Sequence, residues 1–306
     1  MTLALDIPYA TDPDVEVIDD ALLANSVLEK SVRLRGYDIN YVDEGQGDVI
    51  IFLHNGGGFW QSWVNQIRAF STTNRVLALD WPGFGKSSGL DEPITVDLTA
   101  GVLEAFVDHL GLSNIVLVGN CIGASTAIRF QNMHPENVRG LVIMNICPGS
   151  RMVKLGLMRR LLFGTRDGRF KSGFRRFLKF VATRRIVARQ FPGILFGGKI
   201  GIDDPLWIKY VAKFKEDRQN ESRINLLFSV NSFTLKDFIQ NDEAISNSLL
   251  IWGRNNRVAP LKSQGYYHQQ VCQIERMEIV PDTGHLTMYE APVRVNELIR
   301  RHLASL

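Results

Sequence analysis

Residues 114–123 read Asn-Ile-Val-Leu-Val-Gly-Asn-Cys-Ile-Gly, and the fold turns on them. Asn114–Val118 is a β-branched run as long as a buried parallel strand. Gly119-Asn120-Cys121-Ile122-Gly123 follows, and Cys121–Met133 then reads as a helix. A strand that turns straight into a helix leaves little room for side chains, so small residues must flank the turn. The residue at its apex sits at a helix N-terminus. There the dipole and the unpaired N–H groups favour an anion and lower a thiol pKa. The pattern is G-x-S-x-G with Cys in the Ser position. A small buried thiol at a crowded turn is the competing reading of Cys121.

Outward from this turn, short β-branched runs recur at Val49–Leu53, Arg75–Leu79, Leu141–Ile146, Leu249–Trp252 and Ile274–Val280. Helical stretches lie between them. Leu98, Val102, Phe106 and Leu110 repeat every four residues, so Val96–Leu110 is expected as an amphipathic helix stopped by Gly111. Val293–Leu303 is a further helix candidate. Strand–helix alternation predicts an α/β fold, with a mostly parallel sheet flanked by helices.

The chain has 306 residues, 45% hydrophobic and 22% charged, which is ordinary for a globular protein and excludes wholesale disorder. Three cysteines, Cys121, Cys147 and Cys272, cannot build a disulfide framework and point to a reducing compartment. No apolar run is long enough for a membrane helix, and the acidic N-terminus does not read as a signal peptide. The expectation is a cytoplasmic protein.

A net charge of only +3 hides an asymmetry. Residues 1–150 carry 8 Lys/Arg against 18 Asp/Glu, residues 151–240 carry 20 against 7, and residues 241–306 are balanced. The basic stretch also breaks the strand–helix alternation. Phe174, Phe177, Leu178 and Val181 share one helical face, opposite Arg175, Arg176 and Lys179. The expected organisation is an N-terminal extension at 1–30, a core at 31–146 and 248–306, and a basic helical cap at 147–247.

With these motifs in order, the chain resembles the α/β-hydrolase fold superfamily, in its capped, epoxide hydrolase and haloalkane dehalogenase-like type. Five stretches carry the resemblance: His54-Asn55-Gly56-Gly57-Gly58, Asp80-Trp81-Pro82-Gly83-Phe84-Gly85-Lys86-Ser87, the Gly119–Gly123 elbow, Trp252 through Pro260, and Gly284-His285 with Glu290-Ala291-Pro292 downstream. It runs from about residue 30 to the C-terminus outside the cap. Gly85-Lys86-Ser87 resembles the end of a phosphate-binding loop, but Asp80 stands where that motif needs its first Gly.

The resemblance implies Cys121 as nucleophile and His285 as general base. Asn256 falls where the family has its acid, and its amide oxygen could accept the imidazole N–H. Cys-His-Asn is a known triad chemistry. Paired loss of Ser and Asp by decay of a dead hydrolase is the alternative. Neither Asn145 nor Cys147 supplies an acid after the Leu141–Ile146 strand. Asp282 is too close to His285 in sequence to be chosen. The backbone N–H groups of Gly56 and Ile122 would form the oxyanion hole. Asp80 and Trp81 are expected to shape the site. His54, Asn55, Phe59, Trp60 and Asn120 are substrate-pocket candidates, with Phe59 and Trp60 equally readable as core.

A cysteine favours acyl chemistry through a thioester. Hydrolysis of an ester or thioester is the leading expectation. An acyltransferase or condensing enzyme passing the acyl group to an amine, alcohol or thiol is the second. A non-catalytic ligand-binding or scaffold protein is the third. No cofactor and no metal is expected. The basic cap suits coenzyme A, an acidic acyl carrier protein or an anionic membrane surface, or is simply a solvated face. Nothing beyond charge suggests nucleic acid.

Overall fold

A computed structural model of the chain describes residues 27–90, 92–152, 173–174, 176–177, 180, 192–198, 200–201, 203–215, 217–235, 245 and 247–306. Its strands are β1 (Glu29–Leu34), β2 (Tyr37–Glu44), β3 (Val49–Leu53), β4 (Arg75–Leu79), β5 (Ile115–Asn120), β6 (Val138–Met144), β7 (Ser248–Gly253) and β8 (Met277–Val280). They form one eight-stranded sheet in the order β1-β2-β4-β3-β5-β6-β7-β8. β2 pairs antiparallel with β1 and β4, and every other pairing is parallel.

The central strands are buried on both faces, and the pleat divides their side chains into two cores. Ile51, Leu53, Leu77, Leu79, Ile115 and Leu117 pack on one side. Ile50, Phe52, Val76, Ala78, Val116 and Val118 pack on the other. Helices cover both faces: α1 (Val64–Phe70), α2 (Val96–His109), α3 (Ile122–Met133), α4 (Pro205–Lys215), α5 (Asp217–Ser229), α6 (Tyr266–Val271) and α7 (Pro292–Leu303). Local chemistry fixes their starts. Thr95 caps α2 by accepting from Leu98 N at 3.1 Å. Pro292 opens α7, where a missing N–H does no harm.

The expected strands and helices lie within a few residues of the observed ones. β6 ends at Met144 rather than Ile146, because Asn145 takes a left-handed φ of 45° that turns its side chain into the interior. β1 starts at Glu29, inside the segment expected as an extension, and residues 1–26 lie outside the described residues. β1 and β2 have no counterpart among the expected strands. They form an antiparallel edge hairpin whose turn, at Arg35 and Gly36, takes positive φ angles.

Between β6 and β7 the described residues hold helices and turns and no strand. α4 and α5 reach down onto the core, where Tyr210 packs its ring 4.8 Å from Phe59. The apolar face expected at 174–181 is only partly described. Phe174 is half-buried, whereas Phe177 is 58% exposed, so a helical repeat there does not by itself make an inward face. Leu178, Val181, Arg175 and Lys179 lie outside the described residues. No helix among the described residues is long and apolar enough to cross a membrane.

Candidate active site

Four loops meet beyond the carboxyl ends of β3, β5, β7 and β8, the edge where open α/β sheets place their sites. Cys121 stands at the end of β5 with φ 57° and ψ −113°, a conformation that strains any residue with a Cβ. The flanking glycines make it possible. A Cβ on Gly119 would fall 2.5 Å from the Gly123 backbone, and one on Gly123 would fall 2.2 Å from Leu53 O. The strand therefore enters the helix with two backbones in direct contact, and no larger residue fits at either position.

Cys121 is 4% exposed and its sulfur is surrounded by donors. Cys147, His285 and the Gly56 amide all hydrogen-bond it. Cys147 is the strongest influence, and with the electropositive side of His285 and the Gly56 N–H it holds the Cys121 thiol well below the ordinary thiol range, against the opposing effect of burial. The same hydrogen bond, followed by burial, pushes Cys147 well above that range. The bond between them thus favours the anion on Cys121 and the proton on Cys147. Ile122 opens α3 directly after the sulfur, so its N–H is one of the helix's unpaired first-turn donors.

The structure brings His285 and Asn256 together, with a polarity opposite to the expected one. Asn256 Nδ2, not Oδ1, faces His285 Nδ1 at 3.1 Å. Two backbone donors fix that orientation. Asn256 Oδ1 accepts Ala259 N–H at 2.9 Å. Asn145 Oδ1 accepts Gly253 N–H at 3.0 Å and also takes the Asn256 amide at 3.0 Å. The expected acceptor for the imidazole N–H is thus a donor. It leaves Nδ1 as the lone-pair nitrogen and the proton on Nε2.

Asn120 is fully buried and acts as a strut. Its Nδ2 donates to His285 O at 3.0 Å, and its Oδ1 accepts from Asn145 Nδ2 at 3.2 Å. Asn145 also donates to His285 O at 3.1 Å and Thr287 Oγ1 at 3.0 Å. Three buried amides therefore hold the His285 loop.

The other pocket candidates are also spent on structure. His54 is fully buried. It donates from Nδ1 to Asn55 O at 2.7 Å and accepts Trp81 N–H on Nε2 at 3.0 Å. Burial pushes its pKa down to about 4, so it bridges two loops as a neutral ring. Asn55 Oδ1 accepts from Tyr210 Oη at 3.1 Å, tying the loop after β3 to α4. Phe59 and Trp60 are core residues, 1% and 3% exposed. The Asp80 carboxylate takes Trp60 N–H at 2.8 Å and Lys86 N–H at 2.9 Å.

Two participants were not assigned a role from the sequence. Cys147 carries no signal in the sequence beyond its place after the Leu141–Ile146 strand. Glu290 reads in the sequence only as part of Glu290-Ala291-Pro292, yet its carboxylate takes the N–H groups of Gly284 at 2.7 Å and Gly197 at 2.6 Å. It thereby joins the residue before His285 to the segment between β6 and β7. No spacing rule marks either residue, because both act on partners far away in sequence.

The alpha/beta hydrolase fold family matches residues 48–292. The chain belongs to that family. This alpha/beta hydrolase is 26% identical over 300 residues to the 2-hydroxy-6-oxononadienedioate/2-hydroxy-6-oxononatrienedioate hydrolase of Escherichia coli (strain K12 / DH10B), covering 95% of this chain and 98% of that one. Among solved structures, the epoxide hydrolase CorEH matches with a TM-score of 0.72 at 19% identity, over 92% of this hydrolase and 99% of that chain. A serine hydrolase involved in carbazole degradation matches with a TM-score of 0.68 at 20% identity, over 92% and 100%. The protein is thus an enzyme of the alpha/beta hydrolase family with epoxide hydrolase-like structural neighbours.

Proposed function

We propose that this hydrolase transfers acyl groups through Cys121, by way of a thioester acyl-enzyme. The observation that carries the reading is the ring of donors around the Cys121 sulfur, from Cys147, His285 and Gly56, at a strained strand-to-helix turn. Such a sulfur is a ready thiolate. It attacks the carbonyl carbon, and the oxyanion forms between the Gly56 and Ile122 N–H groups. Collapse of that intermediate expels the leaving group and leaves the acyl chain on Cys121.

The Asn256 orientation narrows the substrate. With Nδ1 facing a donor, no acceptor stands behind His285 to support a second proton on the ring unless the Asn256 amide turns over and gives up its bonds to Ala259 and Asn145. An alkoxide therefore departs without a proton, which is unfavourable, whereas a thiolate or acidic enolate departs unaided. Acyl thioesters and activated esters fit best, with water as acceptor in keeping with the hydrolases this chain is similar to. The same observation favours a second reading. Water needs a base to attack the acyl-enzyme, and a thiol acceptor arriving as its anion does not, so transfer to a thiol is the alternative outcome. The 20 Lys/Arg within residues 151–240 suit an anionic carrier, coenzyme A or an acyl carrier protein, on either route.

The test is intact-protein mass spectrometry after mixing with acyl-coenzyme A, an aryl thioester and an alkyl ester. The expected result is an acyl adduct on Cys121 that hydroxylamine removes, formed from the thioesters and absent in Cys121→Ala. Product analysis with and without added thiol separates hydrolysis from transfer. No adduct from any acyl donor, with no turnover, overturns the proposal.

A further inference from the structure

Cys147 needs no sulfur to do what the acyl scheme asks of it, since a hydroxyl donates as well. Yet a sulfur stands there, in contact with the most reactive sulfur of the molecule. The two residues touch twice. Their side chains are hydrogen-bonded, and Cys147 N–H donates to Cys121 O at 3.3 Å. That bond places the two residues side by side, as a disulfide, which spans roughly 4.4–6.8 Å between Cα atoms, requires. All three cysteines are free thiols in the structure.

We propose that Cys121 and Cys147 are a peroxide-reactive pair, in which Cys121 reduces a hydroperoxide and Cys147 closes a reversible disulfide onto it. The Cys121 thiolate attacks the distal peroxide oxygen. An S–O bond forms, the O–O bond breaks, and the departing hydroxide or alkoxide takes a proton from solvent. Cys121 becomes a sulfenic acid. The Cys147 sulfur then attacks the Cys121 sulfur, an S–S bond forms, and the sulfenic oxygen leaves as water with the Cys147 proton. Two thiols supply the two electrons that reduce the hydroperoxide.

The surroundings suit both steps. The donors around Cys121 keep it deprotonated, as the first step needs. Cys147 is held protonated chiefly by its hydrogen bond to Cys121, and that restraint ends when Cys121 turns into a neutral sulfenic acid. The second thiol is thus released by the product of the first step. Cys272 is an internal reference. It is 1% exposed, burial pushes its pKa up to about 12, and it should not react.

The inference is separate from the acyl-transfer reading. Both need a reactive Cys121, but only this one needs a bond to Cys147. The full chain, reduced and then freed of reductant, is treated with hydrogen peroxide and with an organic hydroperoxide. Peptide mapping without reductant should show a Cys121–Cys147 linked peptide, with Cys272 unmodified. Iodoacetamide labelling of Cys121 should fall roughly tenfold and return with dithiothreitol. In Cys147→Ser, which keeps a donor in place, Cys121 should stop at the sulfenic acid and be captured by dimedone. Oxidised wild type with no linked peptide, or Cys147→Ser recovering without dimedone capture, overturns the pairing. Acyl adducts without a linked peptide would leave the acyl reading standing and remove this one, and the converse result would do the reverse.

Discussion

Asn256 Nδ2 lies 3.1 Å from His285 Nδ1 and donates to it, where a triad acid would accept. The amide cannot turn over without stranding the buried Ala259 N–H and setting its own oxygen against Asn145 Oδ1. Asn256→Asp should therefore change which leaving groups the enzyme tolerates. A carboxylate accepts from Nδ1–H and supports imidazolium, so turnover of alkyl esters should rise relative to thioesters by roughly tenfold or more. Stability should fall by about 1–3 kcal/mol, because the new oxygen faces Asn145 Oδ1. A leaving-group series for both proteins, with urea melts, reads both effects. Identical leaving-group dependence in the two would show that the amide orientation does not govern the chemistry.

Cys121 should alkylate as a thiolate well below the ordinary thiol range, and Cys147 should matter more than His285. Cys147 is the largest influence on the Cys121 sulfur. Iodoacetamide rates between about pH 5 and 9 should give a midpoint that Cys147→Ala raises by about a unit or more, and His285→Ala by less. The reverse ranking would make the histidine the chief activator.

Two glycine substitutions separate crowding from backbone strain. Gly123→Ala places a Cβ 2.2 Å from Leu53 O, and neither backbone can give way. The expected loss is more than about 3 kcal/mol, or failure to fold. Gly111 has φ +60° with nothing within 4 Å of its Cβ position, so Gly111→Ala should lose only about 1–2 kcal/mol. Denaturant midpoints for the two variants test this, and equal losses would remove the crowding argument.

Glu290 predicts a pH effect on stability. Burial pushes its pKa from 4.5 up to about 7, so between those values the folded chain holds a proton that the unfolded chain releases. Its contribution is therefore intact below 4.5 and declines as pH rises to about 7. The decline should be on the order of 2–3 kcal/mol, and Glu290→Gln should flatten it. Urea melts across that range would show it. An unchanged slope in Glu290→Gln would assign the effect to another group, such as Asp80, which burial raises to about 6.

The sequence disclosed what depends on near neighbours. Val49–Leu53 and Arg75–Leu79 are the observed β3 and β4, because buried parallel strands are written as unbroken apolar runs. The elbow was legible because Gly119 and Gly123 are small for a local reason. Long-range hydrogen bonding was not legible. Nothing in the spacing shows that Ala259 N–H takes the Asn256 oxygen, and that one bond reverses the role expected of the amide. His54 and Asn120 stand where pocket residues would, and only the structure shows their polar atoms committed to backbone. The β1–β2 hairpin is not legible in the sequence because an edge hairpin with a half-exposed first strand lacks the apolar signature of its neighbours.

Gly197, Gly253 and Gly284 stack backbone against backbone, and Leu195 O takes the His285 N–H at 2.6 Å. Glu290 bridges the Gly197 and Gly284 amides across the same seam. At this corner the segment between β6 and β7 and the histidine loop are one mechanical part. Lifting that edge to admit a substrate would withdraw His285 from Cys121 in the same movement. A movement along this seam would therefore carry the histidine loop with it.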